Sequence, residues 1–139
     1  GYGWRYYKHY SYQKQVQAAQ AYQMVLLSDS QGEKDKTKKT ADRLVKEHPD
    51  SIYATTAKLL LASYNVKDKQ YPQAYADLQW VIDHSEVAGF KQIARLRAAR
   101  VLLQMKKPKQ ALALLKTIDD PAYAKVITVL KKQASRYQT

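Results

Sequence analysis

Part of the chain repeats after 37 residues, and this internal repeat restricts the fold more than any other feature of the sequence. The matching pairs are Ala57 with Ala94, Ala62 with Ala99, Lys69 with Lys106, Gln73 with Gln110, Ala74 with Ala111, Ala76 with Ala113, Leu78 with Leu115 and Asp83 with Asp120. Each copy reads as a helix, a short turn and a second helix. Units of this kind that recur every ~20–50 residues are typical of a helical solenoid.

Small residues at one fixed spacing predict where the paired helices cross. Ala62 and Ala74 are 12 residues apart, as are Ala99 and Ala111. Alanine allows two helix backbones to approach closely, so we expect each pair to lie at a helix crossing. The pattern resembles the tetratricopeptide repeat (TPR), in which a small residue on the first helix and an alanine on the second have this spacing.

Two features depart from the TPR pattern. The period is 37 residues rather than about 34, and Lys58 and Arg95 stand where that family favours an aromatic residue. A plain antiparallel helical bundle is therefore the alternative architecture, although the two-fold internal match favours the solenoid.

Hydrophobic spacing and capping residues predict an all-α chain, because no segment alternates with the period of a strand. Ser51 suits the N-cap of one helix, and Asp120 followed by Pro121 suits the start of another. The seven predicted helices cover about 4–28, 37–48, 52–66, 71–84, 87–105, 108–118 and 121–136. We assign the repeat units to about 51–86 and 88–120.

The first predicted helix changes character along its length. From about Tyr12 it carries one apolar stripe, which we expect to pack on a domain covering 12–139. That stripe comprises Tyr12, Val16, Ala19, Tyr22 and Leu26. In 1–11 the aromatic residues point all round the helix, which suits a membrane–water interface better than a core. The predicted interface residues are Trp4, Arg5, Tyr6, Tyr7 and Tyr10, and we expect a membrane span upstream of this juxtamembrane segment.

The whole chain has a formal net charge of +12, and the positive charge is concentrated in its second part. Residues 87–139 hold 12 basic and 2 acidic side chains, against 12 and 10 in residues 1–86. The candidate partner-binding surface is Lys91, Arg95, Arg97 and Arg100, on two sides of one predicted helix. A solvated basic face and a nucleic-acid-binding surface are the alternatives, the second disfavoured because the tyrosines cluster away from the charge.

Residues that carry chemistry are sparse. The chain has no cysteine, which excludes disulfides and thiol chemistry, and its three histidines are far apart in sequence. No phosphate-binding glycine loop, nucleophile motif or paired metal ligands occur. We therefore expect no catalytic residue, no metal, no cofactor and no enzyme activity.

Longer motifs resemble one particular family. The segments "GWRYY", "YATTAKLLLASYNVKDKQYPQAYADLQ" and "ARLRAARVLLQMKKPKQALALLKTI" are similar to the YfgM family of ancillary subunits of the bacterial Sec translocon. The resemblance implies a TPR-like periplasmic domain anchored in the inner membrane. It also implies association with the translocon channel and with a membrane-anchored chaperone of the parvulin type. The chain departs from that family in its strong positive charge and its earlier end, and a TPR-like adaptor in cell-envelope assembly is the alternative function.

The last predicted helix has no partner in the repeat scheme. Its apolar residues are Ala122, Val126, Ile127, Val129, Leu130 and Ala134, which fall on more than one side. Because an uncovered apolar face is unfavourable in water, we expect a cover there. The options are a second copy, giving a homo-oligomer, the first helix folding across, or residues beyond Thr139.

Overall fold

A computed structural model describes residues 2–137, with side chains from residue 12 onward. Over this range the chain forms seven α-helices, one short 3-10 helix and no strand. The elements in chain order are α1 (Tyr2–Ser30), α2 (Lys34–Glu47), α3 (Ile52–Lys67), α4 (Tyr71–His84), α5 (Ala88–Gln104), α6 (Pro108–Leu115), the 3-10 helix (Pro121–Tyr123) and α7 (Ala124–Arg136). The predicted all-α class and the seven helices are confirmed.

The chain divides into two compact units, and the boundary falls inside α3, between Lys58 and Leu59. The first unit holds α1, α2 and the first part of α3. The second unit holds the rest of α3 and the four helices that follow. Each is described by itself below.

In the first unit, α1 packs against α2 through small side chains. The buried residues of these two helices are Ala18, Val25 and Ser28 on α1 and Thr37, Ala41 and Leu44 on α2. The hydroxyl oxygens of Ser28 and Thr37 lie 3.1 Å apart, and both side chains are buried. Each hydroxyl also lies within hydrogen-bond distance of a nearby backbone carbonyl oxygen, Ser28 of Val25 at 2.9 Å and Thr37 of Glu33 at 2.8 Å, so both buried groups are satisfied.

The predicted apolar stripe of α1 is wrong for three of its five residues, whereas Ala19 and Tyr22 are half-buried. Tyr12 is 68% exposed, and Val16 and Leu26 are exposed as well. Another face of the helix packs, on which Ala18, Val25 and Ser28 are buried. Tyr12, Val16 and Leu26 lie away from this buried face.

The turn between α1 and α2 is closed by a glycine in the left-handed region. Gly32 has φ +72°. The N–H of Glu33 donates to the carbonyl oxygen of Ser28 (3.0 Å), and the N–H of Gly32 donates to that of Asp29 (3.1 Å). These two bonds form a Schellman motif, which satisfies the last carbonyls of α1.

The predicted N-cap of α3 is confirmed. The hydroxyl oxygen of Ser51 accepts a hydrogen bond from the backbone N–H of Ala54 at 3.1 Å. Such a cap satisfies one of the N–H groups that a helix leaves unpaired in its first turn.

In the second unit, α5 is the central helix and is buried on two faces. It packs against α4, α6 and α7. One hydrophobic cluster comprises Leu59, Ala62, Ala74, Leu78, Val81, Ala94, Ala98 and Val101. The other comprises Leu96, Ala99, Leu102, Leu103, Ala111, Leu115, Ile118, Ile127, Leu130 and Ala134. Since α5 contributes to both, its apolar residues surround much of the helix rather than forming one stripe.

The four alanines expected at helix crossings are all buried. Ala62 and Ala74 belong to the first cluster, and Ala99 and Ala111 belong to the second. Their exposed fractions are 2% or less, so none of the four positions has room for a larger side chain without local movement.

The first helix of each repeat ends in the same way. Lys69 has φ 59° and Lys106 has φ 60°, which places both in the left-handed region. Each is followed by a residue whose N–H reaches back five positions: Gln70 to the carbonyl of Asn65 (2.7 Å) and Lys107 to that of Leu102 (2.9 Å). The matched lysines of the repeat therefore occupy equivalent Schellman positions.

The last helix, α7, exposes fewer apolar side chains than the sequence predicts. Ile127, Leu130 and Ala134 are buried on the face toward α5 and α6. Among the described residues of α7, Val129 is the one large apolar side chain that is exposed. Val126 is half-buried, and Ala122 lies in the 3-10 helix that precedes α7, so neither adds a large exposed apolar side chain to α7. A homo-oligomer through α7 stays a prediction.

Candidate functional site

A basic pocket of about 430 Å³ lies in the second unit. It is formed by the last turns of α3, the first residue of α4 and the outer face of α5. The lining residues are Ser63, Val66, Lys67, Tyr71, Arg97, Arg100, Val101 and Gln104. We call this set the basic pocket.

Helix α5 positions two arginines at the pocket. Arg97 and Arg100 are three residues apart and therefore project from the same side of the helix. Between and beside them, Ala98 and Val101 are buried and fix the rotation of α5. Both arginines are exposed, so their guanidinium groups are accessible to a ligand.

The predicted partner-binding residues do not form one surface. Arg97 and Arg100 line the basic pocket, whereas Lys91 and Arg95 are not among its lining residues. On a helix, residues 91 and 95 point away from residues 97 and 100. Lys91 and Arg95 are also half-buried, so the two pairs differ in accessibility.

The end of α3 supplies the remaining cation. The ammonium nitrogen of Lys67 lies 6.0 Å from the ring centroid of Tyr64, the outer limit of a cation–π contact. The side-chain amide of Asn65 donates to a carboxylate oxygen of Asp77 at 2.8 Å and so joins the end of α3 to α4. This hydrogen bond holds the wall of the pocket that carries Lys67.

Sequence reasoning missed the α3 and α4 part of the pocket, although the repeat contains a signal for it. Ser63 and Arg100 are equivalent after a shift of 37 residues, as are Lys67 and Gln104. The pocket is therefore built from matching positions on the first helices of the two repeats. Treating those two helices as neighbours would have brought Ser63 and Lys67 together with the arginines.

The ionisable side chains of the pocket are Lys67, Arg97, Arg100 and the phenol of Tyr71, and no carboxylate lines it. These groups offer hydrogen-bond donors and positive charge, which suits recognition of an anionic group. Elsewhere in the described residues, no cluster of histidine, aspartate and glutamate has the arrangement of a metal site.

A second exposed surface lies on α1 of the first unit and is uncharged. Tyr12, Val16, Met24, Leu26 and Leu27 are the large apolar side chains that α1 exposes within its described part. We call this set the α1 outer face. Residues 15–27 contain no charged residue, so the α1 outer face is apolar and uncharged, in contrast to the basic pocket.

The predicted membrane-interface residues, Trp4, Arg5, Tyr6, Tyr7 and Tyr10, lie outside the residues whose side chains the structure describes. Within the described part of the chain, no helix has both the length and the apolar composition of a membrane span.

Comparison with protein families gives one match over nearly the whole chain. Residues 1–131 match the family described as "Tetratricopeptide repeat-like domain". This match confirms the TPR-like architecture inferred from the internal repeat. No solved structure matches the chain significantly.

Three curated relatives share one name, "Ancillary SecYEG translocon subunit". The protein of Escherichia coli (strain K12) is 30% identical over 132 residues, which is 95% of this chain and 63% of the relative. That of Neisseria gonorrhoeae is 32% identical over 64% of this chain and 43% of the relative. That of Buchnera aphidicola is 24% identical over 67% of this chain and 47% of the relative. The resemblance noted from the motifs is confirmed, and the chain spans less than two thirds of the length of each of these relatives.

Proposed function

Because the chain belongs to the tetratricopeptide repeat-like family, we propose that it is a non-enzymatic interaction module of a bacterial Sec translocon. In this proposal it forms the extramembrane part of an ancillary subunit that is anchored in the inner membrane. The observation that carries the proposal is the similarity to the Escherichia coli subunit over 95% of the chain. The partners are the translocon channel and a membrane-anchored chaperone of the parvulin type.

The two exposed surfaces support a role in binding rather than catalysis. The basic pocket groups three cations around a concave site, and the α1 outer face exposes apolar side chains without charge. Helical repeats commonly use such surfaces to hold other polypeptides. The proposed location is the periplasm, with Trp4, Arg5, Tyr6, Tyr7 and Tyr10 at the membrane–water interface.

Co-purification tests the proposed association. The full-length gene product that contains this chain would carry an affinity tag, and membranes would be solubilised in a mild detergent. We expect the SecY, SecE and SecG subunits to co-purify, while an abundant inner-membrane protein of another complex does not. Quantitative recovery of the tagged protein without SecYEG would reject the association.

The orientation has a separate test, because the chain has no cysteine of its own. Gln133 is exposed on α7, so Gln133→Cys supplies a labelling site, and the full-length protein without this substitution is the control. In the full-length protein of intact cells, we expect a membrane-impermeant maleimide to label this cysteine after the outer membrane is permeabilised. Labelling that requires lysis of the inner membrane would place the domain in the cytoplasm.

A further inference from the structure

We propose that the basic pocket binds a carboxylate-bearing segment of a polypeptide partner. The inference rests on the proposed role as an interaction module and adds the chemistry of the partner. The recognised groups are the side-chain carboxylates of aspartate or glutamate in an extended acidic segment.

The positions of the arginines suit a carboxylate. Residues three apart on a helix have Cβ atoms about 5–6 Å apart, so the side chains of Arg97 and Arg100 can converge on one anionic group. Each guanidinium offers a planar pair of N–H donors that matches the two oxygens of a carboxylate. Lys67 comes from the other wall of the pocket and adds a third positive charge.

The charge of the pocket is not balanced by its own lining, which contains no carboxylate. Asp77, which lies close in sequence to Tyr71, is buried and accepts a hydrogen bond from Asn65. Along α5 and α6 the sequence offers no acid either, since residues 87–118 hold eight basic and no acidic side chains. An anion from outside the pocket relieves the repulsion among these cations, which is the complementarity that favours an acidic partner.

The shape and the remaining lining favour a polypeptide over a nucleic acid. The pocket volume of about 430 Å³ can hold one or two side chains. Val66 and Val101 provide apolar contact beside the cations. Tyr71 is the single aromatic ring in the lining, whereas single-stranded nucleic acids are bound on series of rings that stack successive bases.

Fluorescence anisotropy with two synthetic peptides tests the proposal. The probe is Glu-Leu-Glu-Leu-Glu-amide with an uncharged fluorophore on its amino group, and its glutamine analogue is the matched peptide without carboxylates. At about 0.15 M salt, where surface charges are screened beyond ~8 Å, we expect the chain to bind the glutamate peptide and not the glutamine analogue. Equal binding of both peptides, or of neither, would overturn the proposal.

Matched variants separate the pocket from the general positive charge. Arg97→Gln with Arg100→Gln removes two charges from the pocket, and Lys131→Gln with Lys132→Gln removes two exposed charges from α7. Because a charge-assisted hydrogen bond contributes the equivalent of about tenfold in affinity or more, we expect at least a tenfold loss in the pocket variant and less than about twofold in the α7 variant. Equal losses in both variants would show that only net charge matters.

The pair on the opposite side of α5 provides a second comparison. Lys91→Gln with Arg95→Gln changes the same helix by the same charge, and we expect peptide affinity to stay within about twofold. Circular dichroism checks the fold of every variant. If the Arg97→Gln, Arg100→Gln variant unfolds, Arg97→Lys with Arg100→Lys keeps the charge but loses the paired donors, and we expect a smaller but measurable loss of affinity. Unchanged affinity in that variant would overturn the arginine–carboxylate contact.

The same titration is repeated with other anionic ligands. Tighter binding of polyuridylate RNA, or of vesicles containing phosphatidylglycerol, that depends on Arg97 and Arg100 would assign the pocket to phosphate groups and refute the carboxylate proposal. Co-purification of SecYEG with the unsubstituted full-length protein keeps the two proposals separate. Recovery of SecYEG with no peptide binding by the chain would reject the pocket ligand alone, and peptide binding without recovery of SecYEG would reject only the Sec association.

Discussion

Two lysines hold a backbone conformation that lysine disfavours, and replacing them by glycine tests the repeat-based description of the fold. Lys69 and Lys106 have φ values of 59° and 60°. Their N–H groups donate to the carbonyl oxygens of Val66 and Leu103, both at 3.0 Å. The substitutions Lys69→Gly and Lys106→Gly keep these hydrogen bonds, because they change only the side chain.

The expected gain follows from two opposing effects. A residue with a Cβ atom in the left-handed region is strained by about 1–2 kcal/mol, and glycine removes that strain. Glycine also has more freedom in the unfolded chain, which opposes the gain by about 0.4–1 kcal/mol. We therefore expect each substitution to raise the free energy of unfolding by about 0.5–1 kcal/mol.

Urea denaturation of the second unit measures this change. The chain has two tryptophans, Trp4 and Trp80, so Trp4→Phe leaves Trp80 on α4 as the single reporter. With an m-value of about 2 kcal/mol/M, we expect each midpoint to rise by about 0.3–0.5 M at unchanged m. The two turns share no hydrogen bond, so we expect the double variant to gain roughly the sum of the single gains.

Two controls can refute the reasoning. Lys106→Ala removes the same charge but keeps the Cβ atom, and we expect no comparable gain. Lys107→Gly introduces glycine at the next residue, where φ is −119° and no left-handed strain exists, and we expect stability to be unchanged or lower. A gain in Lys106→Ala equal to that in Lys106→Gly would attribute the effect to net charge instead of to the backbone.

Further substitutions probe the helix packing, one partly buried hydrogen bond and the half-buried phenol of Tyr22. Ala62→Leu and Ala99→Leu should each lower the free energy of unfolding by about 1–3 kcal/mol in urea melts, because both sites are fully packed, and silent variants would argue against close helix crossings. Asn65→Leu should cost about 1–3 kcal/mol because buried Asp77 loses a donor, and the double variant with Asp77→Leu should recover most of that loss. Burial, with a smaller effect of a nearby carboxylate, raises the pKa of Tyr22 above its usual value near 10, so the chain should lose stability as the pH rises past that value, and less so in Tyr22→Phe.

Sequence reasoning could predict the repeat and the helices because both depend on local patterns. Ser51 and Asp120 act through hydrogen bonds to backbone groups two or three residues away, so their cap roles follow from neighbouring residues. Asp120 caps the 3-10 helix and not an α-helix. The two kinds of helix differ in which carbonyl oxygen each N–H reaches, and the sequence pattern does not predict that difference. The burial of Ala62 and Ala99 likewise follows the spacing within each repeat.

The packing face of α1 could not be predicted in the same way. Two stripes compete on this helix, one with the larger apolar side chains Tyr12, Val16 and Leu26, and one with the short side chains of Ala18 and Ser28. Hydrophobicity alone favours the first. The choice depends on the partner helix, because α2 packs against the face of α1 on which Ala18, Val25 and Ser28 are buried. Such packing is visible only when both helices are considered together.

In the second unit, the residues that the two repeat copies share differ from the residues that line the basic pocket. Positions that match between the two copies are mostly buried, as at Leu78 and Leu115, or hold the left-handed turn residues. Positions that line the basic pocket differ between the copies: Ser63 corresponds to Arg100, and Lys67 to Gln104. Packing and turn geometry demand the same residues in each copy, whereas a binding site needs different donors on its two walls. A symmetric pocket would present the same group twice, and the asymmetry instead concentrates the guanidinium groups on α5, opposite the ammonium group of α3.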